Sequence, residues 1–261
     1  MILVGENVIS FIIPVLNNPT SFVIGAAKRL LLINWDGISS IATIDKVLAV
    51  LPVEGLRLND AKADSKGHLY VGTMMAEAVG DVYGDKRICK LYKYSTKGGL
   101  VEIKSDVGLS NGISLNEAAN KFYFVDSFDL NVKQFDFDAT NGTIINETVL
   151  ADLTSYGELD RVVPGGLSIT AQGMILVNIF GGARIFGLAP NGSIQLDIPL
   201  PVAQVTSMTF GGENLDTMFV TSAATEIWLG PQTGPSGYLF KVTGFEGITG
   251  PVQQMFVSNE M

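Results

Sequence analysis

The sequence predicts an all-β fold of β-propeller type, and three observations carry that reading. A stretch built as strand, polar turn and strand runs from Arg57 through Asn59 and His68 to Met74, and its outline returns three times downstream. Asn59 precedes Tyr70-Val71, Asn111 precedes Phe124-Val125, Gly165 precedes Leu176-Val177 and Thr206 precedes Phe219-Val220, at intervals of about 40 to 55 residues. Units of short strands at that period read as propeller blades of about four strands each, not as turns of a helical solenoid. Composition agrees: of 261 residues, 47% are hydrophobic and only 16% charged, which suits sheets packed face to face. Apolar residues at helical spacing are scarce. One propeller domain over residues 1–261 is therefore expected.

Taken in order, Val8–Val15 and Ser21–Gly25 are β-branched and aromatic runs flanking a turn at Asn17-Asn18-Pro19. Leu30–Trp35 is a third strand, closed by the hairpin signal Asp36-Gly37, and Thr43–Leu51 is the outer strand. This first blade lacks the polar cluster that opens the inner strand of the others. The second runs from Arg57 through Met74 and resumes at Ile88–Tyr94 and Leu100–Lys104. Between them Met75–Lys86, with Glu77, Asp81 and Asp85, is a loop at the propeller mouth, long enough to carry function or simply to connect.

The third blade holds Ser110-Asn111-Gly112-Ile113, Lys121–Asp126, Val132–Asp138 and Thr143–Leu150, with Asn141-Gly142 as a two-residue hairpin signal. The fourth runs from Pro164 to Gly173, then Ile175–Ile179, Ala183–Leu188 and Ile194–Ile198. The fifth comprises Val205–Phe210, Thr217–Thr221, Gly237–Val242 and a last run near Val252–Val257, with Ala223–Ser236 as a second mouth loop. In a propeller the start of each innermost strand faces the axis, so Asn59, Asn111, Gly165 and Thr206-Ser207 should converge. Polar groups meeting between apolar walls suit a metal or a small polar ligand.

Charge and motifs exclude several classes. A net charge of −9 and a pI near 4.6, with no basic stripe, argue against nucleic acid. Met1–Pro14 carries Glu6, has no basic lead and is broken by Pro14, so it reads as neither a signal peptide nor a membrane span. The single cysteine, Cys89, cannot form an intrachain disulfide and suits a reducing compartment, which points to the cytoplasm and to an inert buried thiol. The sequons at Asn141, Asn146 and Asn191 then read as turn residues. No Gly-x-Ser-x-Gly elbow, His-Glu-x-x-His or paired cysteine motif is present. His68 reads as a solvated turn residue, Trp35 and Trp228 as packing or rim residues, and Gly181-Gly182 and Gly211-Gly212 as turns. Asp126 ends a strand near the expected axis, where a site role and a plain strand end are both open.

Arg57-Leu58-Asn59-Asp60 with Gly72-Thr73-Met74, Ser110-Asn111-Gly112, Gly211-Gly212 with Leu215-Asp216-Thr217, and Val220-Thr221-Ser222-Ala223 carry a resemblance over essentially the whole chain. The sequence resembles the senescence-marker-protein, regucalcin and gluconolactonase family, leaning towards its insect luciferin-regenerating members. That resemblance implies a six-bladed propeller that holds one divalent cation, calcium or zinc, and hydrolyses sugar lactones. It makes Asn111 a metal ligand, Arg57 and Asn59 contacts to the substrate and its water shell, and Glu77 an acidic substrate contact.

Two departures bear on chemistry. The family's Pro-Asp-Gly-Met segment stands here as Pro164-Gly165-Gly166-Leu167, so the aspartate that serves as metal ligand and base is Gly165. The N-terminal Gly-Glu-Gly-Pro segment, with a further metal-binding glutamate, has no counterpart, so about five blades are expected, with one N-terminal blade lacking. Without those carboxylates a hard cation should bind weakly and activate water poorly. Two readings follow: a lactone hydrolase with impaired activity, or a non-catalytic calcium-binding or regulatory propeller. Loss of a blade also leaves open strand edges through which copies could associate.

Overall fold

The computed structural model describes residues 8–76, 86–157, 161–226, 230–232 and 234–257. The chain is an all-β protein of β-propeller type with five blades, each an antiparallel meander whose strands pair in chain order. Blade one is β1 (Ile9–Val15), β2 (Asn18–Ala26), β3 (Arg29–Asn34) and β4 (Thr43–Val50). Blade two is β5 (Leu56–Ala63), β6 (Leu69–Met75), β7 (Cys89–Ser95) and β8 (Gly99–Val107). Blade three is β9 (Ser110–Asn116), β10 (Lys121–Asp126), β11 (Asn131–Asp138) and β12 (Thr143–Asp152), and blade four is β13 (Val163–Ile169), β14 (Ile175–Phe180), β15 (Arg184–Leu188) and β16 (Ile194–Pro199). Blade five shows three strands among the described residues, β17 (Val205–Gly211), β18 (Thr217–Ser222) and β19 (Leu239–Val242).

Two compact units divide the chain. The first holds residues 1–110, 138–143 and 254–261, and the second holds 111–137 and 144–253. In the first, the register sets Ile24 opposite Leu31 and Phe22 opposite Ile33, so all four share one face of the blade-one sheet. With Ala26, Ala42 and Trp35 they form an apolar cluster in which Ile24, Leu31 and Ile33 are wholly buried. Each such side chain contributes about 1.5–3 kcal/mol of burial. The packing role expected of Trp35 holds: its ring sits 6.0 Å from Phe22, and Nε1 donates to the Ser39 carbonyl at 2.7 Å. In the second unit, one cluster joins Tyr123, Val125 and Val132 to Leu167, Val177 and Phe186, and another joins Leu176 and Ile185 to Met208, Phe210 and Val220.

Four expectations are corrected. Asp36-Gly37 does not close a tight hairpin: the Asp36 carboxylate accepts from the Ile38 and Ser39 amides at 2.9 and 2.7 Å, opening an eight-residue connection between Asn34 and Thr43. Asn141-Gly142 does turn a hairpin, but as a wider loop. Only Gly142 has positive φ (62°), its amide reaches back to the Asp138 carbonyl at 2.8 Å, and Asp138 holds Thr140 N and Asn141 Nδ2 at 2.8 Å each.

His68 is not a solvated turn residue. Its Nδ1 donates to the wholly buried Asp64 carboxylate at 2.7 Å, and that carboxylate also accepts from Lys66 N, His68 N and the Tyr70 hydroxyl. Finally, Val252–Val257 does not complete blade five. Gly244, Gly247 and Pro251 break the chain after β19, and the run forms no ladder except at Phe256. Phe256 makes a parallel bridge to Val15, exchanging bonds of 2.9 Å (Leu16 N to Phe256 O) and 3.0 Å (Phe256 N to Pro14 O). It is 1% exposed and lies 6.1 Å from the Tyr94 ring, so the C-terminal segment covers an edge of β1 that was expected to be open.

Candidate functional site

The openings of β1, β5, β13 and β17 are β-bulges. In β5, Leu58 pairs with Thr73 and Ala61 with Val71, so Asn59 and Asp60 together face the single residue Gly72. In β13, Pro164 pairs with Ile179 and Leu167 with Val177, so Gly165 and Gly166 face Asn178. β17 has its extra residue at Thr206 and β1 at Ser10. A bulge leaves its extra residue outside the ladder and re-aims its side chain, which is why polar residues sit where a buried strand begins. Ser10 shows that blade one does carry a polar group at this place. It was missed because a lone serine among Val8, Ile9, Phe11 and Ile12 makes no cluster.

In the first unit, Ser10 Oγ donates to the Leu58 carbonyl at 2.7 Å, and Asn59 Nδ2 donates to the carbonyl of Ser110, the first residue of β9, at 2.9 Å. Arg57 lies two residues before Asn59 and donates from NH1 to the Leu58 carbonyl at 3.0 Å. Burial pushes the Lys62 amine below its ordinary value, and the Asp60 carboxylate partly offsets this. Glu77 lies outside the described residues.

In the second unit, Asn111 Nδ2 donates to Ser127 Oγ at 3.1 Å, and that buried hydroxyl donates to the Pro164 carbonyl at 2.7 Å. Gly112 lies against β13: a Cβ there would stand 2.6 Å from the Gly165 carbonyl oxygen. Asn111 and Gly165 are therefore neighbours. Asp126 is wholly buried and its Oδ1 accepts from Phe128 N at 3.2 Å, capping the short turn Ser127–Asp129. Asn178, which the sequence reading passed over, is wholly buried on β14 and donates Nδ2 to the carbonyl of Val205, the first residue of β17, at 2.6 Å. A Cβ on Gly165 would overlap the Asn178 amide nitrogen. A lone asparagine inside Ile-Leu-Val-Asn-Ile-Phe, opposite paired glycines, was the available signal.

The model of the SMP-30/Gluconolactonase/LRE-like region matches residues 4–224. The chain belongs to this gluconolactonase family. Chicken regucalcin is 30% identical over 235 residues, covering 88% of this chain and 75% of its own. YvrE, a candidate sugar lactone lactonase of Bacillus subtilis, is 32% identical over 176 residues, 67% of this chain, and the chain spans 56% of YvrE's length. The solved luciferin-regenerating enzyme superposes with a TM-score of 0.85 at 27% identity, over 97% of this chain and 83% of that one. Agrobacterium tumefaciens regucalcin shares the fold, with a TM-score of 0.76 at 20% identity.

The divalent cation implied for this gluconolactonase family finds a poor donor set here. Gly165 offers no side chain, and the room beside it is taken by an amide N–H, whose positive end repels a cation. Asn111 offers one neutral amide oxygen, since it is the nitrogen that bonds Ser127. Among the described residues no three of His, Cys, Asp and Glu stand close enough to share a metal. No helix among them is long and apolar enough to cross a membrane.

Proposed function

We propose that this chain is a sugar-lactone-binding propeller of gluconolactonase type, acting as one domain over residues 1–261, whose hydrolytic activity is impaired at Gly165. The observation that carries this is the Asn178 amide packed against Gly165 beside Asn111. The family's lactone chemistry supplies the substrate class, and the name of the YvrE relative supports it. In this reading Asn111 offers an amide oxygen to the lactone. Nothing at position 165 can accept a proton from an attacking water, so hydrolysis is slow. The acidic surface and single buried Cys89 favour a cytoplasmic setting without nucleic acid or membrane partners.

The test is hydrolysis of D-glucono-1,5-lactone by the unmodified chain, with calcium or zinc present and with chelator. Rates near the uncatalysed background under both conditions, together with saturable binding of a non-hydrolysable lactam analogue, support the reading. Fast hydrolysis strictly dependent on the cation overturns it. The alternative is a non-catalytic regulatory propeller, favoured by the 30% identity to regucalcin over most of the chain. In that case the lactam analogue does not bind.

A further inference from the structure

Four side chains make the same kind of bond. Ser10 Oγ to Leu58 O, Asn59 Nδ2 to Ser110 O, Ser127 Oγ to Pro164 O and Asn178 Nδ2 to Val205 O each run from one blade to a carbonyl near the start of the next blade's inner strand. The source of the side chain differs between blades two and four. In blade two the bulge itself supplies Asn59 and the facing residue is Gly72. In blade four the bulge is Gly165-Gly166 and the facing residue supplies Asn178. The polar group has changed sides of the bulge while its bond to the next blade is kept.

This exchange fixes which way the Asn178 amide points. Its nitrogen is committed to Val205, so Oδ1 turns back over the bulge, 3.1 Å from where a Cβ of residue 165 would stand and 3.2 Å from that of residue 166. Oδ1 is buried and has no hydrogen-bond partner. A buried acceptor of this kind requires a donor, and an O–H group meets that need without a countercharge.

We propose that the Gly165–Asn178 pair has converted the position next to Asn111 from a cation-ligating to a hydrogen-bonding one, so that the chain binds a neutral, hydroxyl-bearing ligand without a divalent cation. The proposal rests on the lactone-binding reading for its ligand class, and on the Gly165 contact for its exclusion of the cation. The same nitrogen that staples the blades occupies the room a carboxylate would need. Gly165→Asp alone therefore gains no cation site, because its side chain meets the Asn178 amide.

The experiment titrates calcium, manganese and zinc by calorimetry, with thermal melts, into the unmodified chain, Gly165→Asp, Asn178→Ala and Gly165→Asp/Asn178→Ala. The unmodified chain and both single variants are expected to show no one-to-one cation binding in the low millimolar range. Gly165→Asp should also melt lower than the unmodified chain. The double variant, with room for the carboxylate, should gain cation affinity at least tenfold and a melting temperature that rises with calcium. Stoichiometric, tight cation binding by the unmodified chain overturns the proposal, as does a Gly165→Asp variant that binds cation as well as the double.

A second arm measures D-glucono-1,5-lactam binding to the unmodified chain with and without chelator. An affinity unchanged within twofold supports the proposal, and loss with chelator overturns it. If the lactam binds under neither condition, the lactone-binding reading fails, and the cation titration alone decides the role of the Gly165–Asn178 pair.

Discussion

The Asn59 amide donates to the Ser110 carbonyl at 2.9 Å, tying the bulge of one inner strand to the first residue of the next. Removing it takes this donor from the carbonyl of the wholly buried Ser110, which costs about 1–3 kcal/mol. Asn59→Ala should therefore lower the urea midpoint by that equivalent, and Ser10→Ala should lower it less, because the Leu58 carbonyl keeps its Arg57 donor. A cost within about 0.5 kcal/mol, typical of a surface position, would show that neither bond holds the blades.

How far this arrangement was legible depended on how each residue stands out from its neighbours. Asn59 and Asn111 could be found because they open strands within polar clusters, Arg57-Leu58-Asn59-Asp60 and Ser110-Asn111-Gly112, where a buried strand should read as apolar. The blades were legible for the same reason, since strand and turn signals repeat with a fixed phase. Ser10 and Asn178 make the equivalent bonds from within apolar runs, and only the register of the sheet reveals that each lies at a bulge. The fate of Val252–Val257 was hidden differently: its composition reads as strand, but its partner, β1, lies at the far end of the sequence.

Asp64 is the organising residue of the β5–β6 turn, although the turn reads as ordinary solvent-facing chain. Its carboxylate accepts from two backbone amides, the His68 ring at 2.7 Å and the Tyr70 hydroxyl at 3.0 Å. Asp64→Ala removes an acceptor from a wholly buried tyrosine hydroxyl and from the turn amides, so a loss of about 3 kcal/mol is expected. His68→Ala removes one of the four donors and should cost about 1 kcal/mol. Chemical denaturation of the two variants side by side checks the ranking, and equal costs would contradict it.

Phe256 should be worth far more than its place five residues before the last suggests. It is 1% exposed, packs near Tyr94 and carries both backbone bonds to β1. Phe256→Ala should destabilise by about 3–5 kcal/mol, as for other buried aromatics. Truncation after residue 253 should match or exceed that loss, and should also promote concentration-dependent association by baring the β1 edge. A truncated chain as stable and monodisperse as the full one would refute this.

Acid sensitivity has a local contributor in the β11–β12 hairpin. The Asn141 side chain, followed by the Thr140 amide, holds the Asp138 carboxyl below its ordinary value. Its folded value thus lies below the unfolded value of about 3.9, and the folded state binds fewer protons. The contribution is present above about pH 4 and is lost as pH falls through the folded value. Asp138→Asn keeps an acceptor for Thr140 but does not titrate. Its urea midpoint should therefore fall less than that of the unmodified chain between about pH 5 and about pH 3.

Asn111 and Ser127 should separate binding from stability. Ser127 Oγ is buried, accepts from Asn111 and donates to the Pro164 carbonyl, so it carries the blade-to-blade bond, while Asn111 is half-buried and only leans on it. Ser127→Ala orphans a carbonyl and should cost about 1–3 kcal/mol of stability. Asn111→Ala leaves the Ser127–Pro164 bond in place and should cost about 1 kcal/mol or less. For the lactam analogue the order should reverse: Asn111→Ala removes an amide oxygen assigned to the ligand and should weaken binding at least tenfold, about 1.4 kcal/mol. Ser127→Ala frees the Asn111 amide to reorient and should weaken binding less. Denaturation and calorimetry on the same two preparations decide this. If both variants lose stability and affinity in parallel, Asn111 is a structural strut and its place in the ligand site must be given up.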